Sequence, residues 1–117
     1  MRSSMSEKNI HWIGTSQEDL QDFPAEARRE VGFALWKIQQ GKPPPDFKPM
    51  AIVGKGVQEI RIRTEDAYRV FYIAKFEEAI YVLHVFQKKT QKTSTNDIEL
   101  GQQRYKTLLK KRQNQEE

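Results

Sequence analysis

Three strand-like segments, Val57 to Thr64, Tyr68 to Lys75 and Ile80 to Gln87, follow one another with only short gaps. A parallel crossover needs a dozen or more residues, so gaps this short force each segment to pair antiparallel with the next and predict a β-meander. In the first segment Gln58, Ile60 and Ile62 fall on one face and Val57, Glu59, Arg61 and Arg63 on the other, which gives both arginines a common face. The third segment is apolar on both faces and is expected inside the sheet. Simple alternation puts His84 of that segment on one face with Val82 and Phe86.

Upstream, Ile10 to Ile13 reads as a short strand ended by Gly14, and Thr15 with Glu18 matches a capping box for a brief helix through Leu20. Pro24 then opens a longer helix with Ala27, Val31, Ala34, Leu35 and Ile38 at helical spacing, stopped by Gly41 and by Pro43 to Pro45. The connection from Gly41 to Gly56 is long, and Phe47, Met50 and Ile52 are its expected anchors. Downstream, Asn96 with Glu99 is the expected cap of a last helix whose stripe is Ile98, Tyr105, Leu108 and Leu109. Tyr105 reads as core with a wet hydroxyl. The predicted order is β-α-α-β-β-β-α, an α+β domain with an antiparallel sheet. Its domain runs from residue 10 to 112, with a disordered extension over 1–9 and a polar, frayed tail over 113–117. Phe33 and Trp36 lie off the long helix's stripe; burial is the default for both, and contact with a protein partner the alternative.

A chain of 117 residues buries one core, and it contains no cysteine and only two isolated histidines. Disulfides and thiolate zinc sites are therefore excluded, no cofactor is expected, and no stretch is apolar for long enough to cross a bilayer. A cytoplasmic protein fits these features. The net charge of +4 is modest, but its distribution is not. Eight Lys or Arg stand against two acids between Lys88 and Arg112, whereas Glu7, Glu18, Asp19, Asp22, Glu26 and Glu30 gather near the other end. Lys110 to Arg112 suits the end of a helix and reads as a solvated terminus.

The third strand runs directly into lysines, threonines and glutamines: VLHVFQKKTQKT, Val82 to Thr93. That segment, with GVQEIRIR, YRVFY and the ELR-like Glu59-Ile60-Arg61, resembles the RelE/ParE toxin superfamily, in particular its HigB and phage Gp49-like branch. The resemblance spans Ile10 to Leu109. It implies a type II toxin that cleaves mRNA, usually on the ribosome, and is silenced by a cognate antitoxin of the helix-turn-helix, HigA-like kind. It also implies a site. Arg61, Arg69, Lys88, Lys89 and Lys92 become the candidate catalytic cations, and Lys48, Arg63, Gln91 and Thr93 the candidate RNA contacts. RNA cleavage without metal builds negative charge on a pentacovalent phosphate, and forked guanidiniums match its oxygens. The tyrosine or histidine that some relatives place after the third sheet strand is missing between Thr90 and Asn96. The ParE branch poisons DNA gyrase on the same fold, so a gyrase poison and a non-catalytic RNA-binding module are the alternatives.

Overall fold

The computed structural model describes residues 7–116, with side chains through residue 114. Strand β1 (Asn9–Trp12) leads into helices α1 (Ser16–Gln21) and α2 (Ala25–Gln39). Strands β2 (Phe47–Pro49), β3 (Val57–Arg63), β4 (Ala67–Ile73) and β5 (Ala79–Lys88) precede the long helix α3 (Thr95–Glu116). All five strands form one sheet in the order β1-β5-β4-β3-β2. The meander pairs antiparallel as its short turns require, and β5 is interior. Two features depart from expectation. The sheet is mixed, because β1 pairs parallel with β5 after the chain has crossed over through α1 and α2. A fifth strand, β2, adds an edge within the segment read as a plain connection.

One face of the sheet packs against α2, whose Ala27, Val31, Ala34, Leu35 and Ile38 are all buried as the spacing dictates. Burying a Val or Leu side chain stabilises by roughly 1.5–3 kcal/mol, so this stripe is what holds α2 in place. The opposite face carries a second core of Val53, Phe71, Leu83, Phe86 and Leu108 beneath α3. Helix α3 approaches closely at two glycines. A Cβ on Gly101 would come within 2.8 Å of the Phe71 ring, and one on Gly54 within 2.6 Å of Tyr105. Tyr105 packs as core, with its hydroxyl donating to the Lys55 carbonyl at 3.0 Å. Leu109 instead points outward.

A β-bulge decides which side chains share the second face. Phe71 pairs with His84 but Tyr72 pairs with Val82, which leaves Leu83 as a surplus residue in β5. Val82 accordingly lies in the core under α2, while Leu83 packs under α3 and His84 contacts Phe71 and Phe86 there. The alternation that grouped His84 with both Val82 and Phe86 is broken at this point.

Other local expectations are corrected. Thr15 makes no side-chain cap; its hydroxyl donates to Asp19 and accepts from Arg104. Helix α3 is capped by Ser94, whose Oγ accepts from the Asp97 amide, and not by Asn96 with Glu99. Met50 and Val53 anchor the long connection, whereas Phe47 and Ile52 are exposed. Phe33 and Trp36 are also exposed and stack on each other with ring centroids 6.1 Å apart. Of the extension read over 1–9, residues 1–6 lie outside the described residues, but Lys8 is tied down, donating to the carbonyls of Ala74 and Phe76. Helix α3 continues to Glu116, beyond Arg112.

Arg112 is more than a solvated terminus. Its Nε and Nη2 donate to Glu78 at 2.6 and 3.2 Å, and its guanidinium lies 3.7 Å from the centroid of the Phe76 ring. The hydrogen bonds from Arg112 hold the Glu78 carboxyl down at about 2. A depressed carboxyl stabilises the fold above its ordinary 4.5, and that contribution disappears as pH falls through about 2. The pair is partly exposed, so Glu78→Gln should cost about 0.2–1 kcal/mol at neutral pH. Urea midpoints of the variant and its parent should converge as the pH is lowered across that window.

Candidate active site

Directly opposed residues of an antiparallel ladder share a face, so the register lays out the site row by row. Lys48, Glu59, Phe71 and His84 form one row across β2, β3, β4 and β5. Arg61, Arg69 and Phe86 form the next, and Arg63, Ala67 and Lys88 the last. Helix α3 covers the β5 side of this face. The part carrying the charges stays open, bounded by Ile98 at the start of α3 and by the loop after β5. The result is a depression of about 600 Å³ lined by Lys48, Arg61, Arg63, Arg69, Lys88 and Lys92, six cations, with Glu59 as the one carboxylate among its lining residues. Gln91 and Thr93 complete its rim.

Eight of the nine residues singled out in the sequence thus line one depression. Lys89, the ninth, does not: it borders a separate small cleft with Gln87, Ser94 and Asp97. Lys88 ends β5 and shares a face with Phe86 two residues before it, whereas Lys89 lies past the end of the strand, and Lys88 borders both the cleft and the depression. Lys88 is partly committed, as its ammonium donates to the carbonyls of Thr90 and Gln91 and so shapes the loop. The Thr90 hydroxyl closes the turn by donating to the Lys92 carbonyl at 2.6 Å.

The arginines are held unequally. Arg61 sits at the sheet edge, with its Nε 3.2 Å from Asp46 Oδ1 and its backbone amide donating to the Asp46 carbonyl. Arg69 is deeper. Its side chain is only 11% exposed, its Nη1 donates to the Tyr68 carbonyl, and its Nε lies 3.7 Å from Glu59 Oε2. Burial lowers the Arg69 pKa; the Glu59 charge opposes that shift and the neighbouring Arg61 and Arg63 reinforce it. A guanidinium crowded in this way gains most from an incoming anion.

Glu59 was not among the residues chosen from the sequence, although alternation had placed it on the arginine face. It is 1% exposed, and neither carboxylate oxygen has a hydrogen-bond partner among the described residues. Lys48 Nζ, at 3.9 Å, and Arg69 Nε are the cations paired with it, both beyond hydrogen-bonding distance.

The histidines take other places. His84 is buried, with Nε2 2.7 Å from Asp97 Oδ1 and Nδ1 without a partner among the described residues. Burial lowers its pKa against the opposing pull of Asp97. A second proton would sit on Nδ1 as a buried donor with no acceptor, so the neutral ring is favoured. His11 lies edge-on to Tyr81 at the far strand β1. Among the described residues no three His, Asp or Glu side chains converge as metal ligands would.

A mixed five-stranded sheet packed between helices, with a basic depression at the end of its meander, belongs to the RelE-like class of α+β folds. The E. coli toxin RelE, in the free state of a double arginine-to-alanine mutant, matches it with a TM-score of 0.59 at 12% identity. That match covers 80% of this chain and 96% of the RelE chain. Within that fold the chain belongs to the phage-derived Gp49-like family, whose model matches residues 18–106. No curated protein sequence matches it.

Proposed function

We propose that this chain is the toxin of a type II toxin-antitoxin system, of the HigB-like kind, and that it cuts RNA without a metal ion. The observation that carries the reading is the depression itself, in which six cations meet one buried carboxylate. RNA supplies its own nucleophile. Attack of the 2′-oxygen on the adjacent phosphorus needs a site that removes one proton, stabilises a phosphorane and returns a proton to the departing 5′-oxygen. Arg61 and Arg69, opposed on neighbouring strands, would share the non-bridging oxygens on this reading. Arg63, Lys48, Gln91 and Thr93 flank them and would hold the chain on either side of the cut. Family membership and the likeness to RelE support a toxin restrained by an antitoxin, which on this reading is a small helix-turn-helix protein. The substrate on the same reading is mRNA on cytoplasmic ribosomes.

The test is chemical. Purified protein at high concentration, given a short single-stranded RNA in EDTA, should produce a 2′,3′-cyclic phosphate and a 5′-hydroxyl. Induced expression without antitoxin should arrest growth and leave new transcript ends of the same kind. Products ending in 5′-phosphate, or cleavage that returns only with a divalent ion, would reject the mechanism. Growth arrest with intact mRNA and inhibited gyrase would replace the reading by the gyrase alternative.

A further inference from the structure

Glu59 is costly where it stands. A carboxylate with no hydrogen bond and almost no contact with water is a large penalty, and its two neighbouring cations lie at ion-pair rather than hydrogen-bond distance. A structural counter-ion would be expected to accept hydrogen bonds from Arg69, yet Arg69 directs Nη1 to its own strand's carbonyl. The acceptor oxygens of Glu59 are thus unused among the described residues, and Glu59 lies in the wall of the depression lined by six cations. The more exposed of the two cations paired with these oxygens is Lys48, an unbranched side chain 50% exposed on the edge strand, 3.9 Å from Oε1.

We infer that Glu59 is the general base of the proposed ribonuclease, taking the proton from the 2′-hydroxyl once a backbone phosphate has drawn Lys48 aside. The inference rests on the nuclease reading and adds the proton acceptor to it. The step balances within the chain's own groups. The 2′-O–H proton passes to a Glu59 oxygen, the 2′-oxygen forms its bond to phosphorus, and the bond from phosphorus to the 5′-oxygen breaks. Arg61 and Arg69 hold the charge on the phosphorane. The 5′-oxygen takes its proton from the ammonium of Lys92 at the rim, because a guanidinium does not give up its own. Glu59 and Lys92 then exchange protons with water, and no net proton is consumed.

The groups facing Glu59 are Lys48 from β2, Arg61 on its own strand, Arg69 from β4 and, beyond the Phe71 ring, His84 from β5. Replacing His84 with asparagine should leave cleavage in place, because the ring of Phe71 stands between it and Glu59 in that row.

Glu59→Gln keeps the size and removes the basicity. It should lower kcat/KM for a short RNA by about 10²- to 10⁴-fold, and should not weaken the binding of an analogue with 2′-deoxyribose at the cleavage position. Glu59→Asp should recover part of the rate. An RNA with sulfur in place of the scissile 5′-oxygen needs no proton on its leaving group, so it should restore Lys92→Ala and fail to restore Glu59→Gln. If Glu59→Gln cleaves within threefold of the parent, Glu59 is not the base. Where Glu59→Gln does not fold, Glu59→Asp decides the question, since cleavage at the full parental rate from the shorter carboxylate counts against the base. A parent protein inert towards every RNA sinks the nuclease reading itself, whereas an active parent with an equally active Glu59→Gln sinks only this inference.

Discussion

Arg69→Ala should lower RNA cleavage by about 10²- to 10³-fold, the effect measured when one pre-organised donor to a developing oxyanion is removed. Arg69 is singled out because its side chain is 11% exposed and fixed by its bond to the Tyr68 carbonyl, so its position is set before substrate arrives. Donors that need no reorganisation contribute most to transition-state stabilisation. Arg69→Lys keeps the charge and loses the fork, and it should fall between the two. The alanine variant also leaves Glu59 with Lys48 as its remaining ion-pair partner, which costs some stability. Circular dichroism and binding of a 2′-deoxy analogue would show that the fold and the depression survive. Lys89→Ala is the matched control, since Lys89 lies outside the depression and an exposed substitution there should change the rate about twofold or less. Equal activity in the Arg69 and Lys89 variants would take the arginine row out of the mechanism.

Phe71→Ala should destabilise the protein by about 3–5 kcal/mol, a large share of the total for a domain of this size. The ring is fully buried in the core under α3, edge-on to Phe86 with centroids 5.1 Å apart, and it lies against Gly101 of the helix. That glycine lets the helix backbone approach the ring, so the helix cannot follow the truncated side chain inward without losing its other seat on Tyr105 and Gly54. A cavity would remain. Urea unfolding should show a midpoint shifted strongly downward with its slope retained, and a loss under about 1 kcal/mol would mean that the site collapses freely.

Much of the frame was legible because its signals are local. The helical spacing from Ala27 to Ile38 reports directly on burial against a sheet, and the short gaps in the meander leave antiparallel pairing as the only solution. Family resemblance then gathered eight cations and polar residues that the structure places around one depression. What was not legible depended on contacts distant in sequence. Strand β2 contains Pro49 and has only three residues, and it exists because Lys48 and its neighbours find the free edge of β3. Phe47 looked like an anchor because it is apolar, but Val53, close to the turn into β3, takes the buried place. Glu59 was visible on the arginine face, yet its burial without hydrogen bonds follows from the packing of β2 and β4 on either side. Lys89 was grouped with Lys88 by adjacency, but β5 ends at Lys88 and Lys89 already belongs to the loop.

The surplus residue at Leu83 has a further meaning for how such a site can change over time. Upstream of it, the even-numbered residues Ile80 and Val82 belong to the α2 core; downstream, the even-numbered Phe86 and Lys88 belong to the α3 side. Deleting that one residue would regularise the ladder: Tyr72 would still oppose Val82, Phe71 His84 and Ala67 Lys88, so the terminal lysine would keep its face. Deleting a residue between His84 and Lys88 instead would carry the lysine across the sheet, away from Arg61 and Arg69. The bulge is therefore a place in β5 where chain length can change without moving the chemistry, and a relative lacking the extra position would carry its matching lysine one residue nearer Val82.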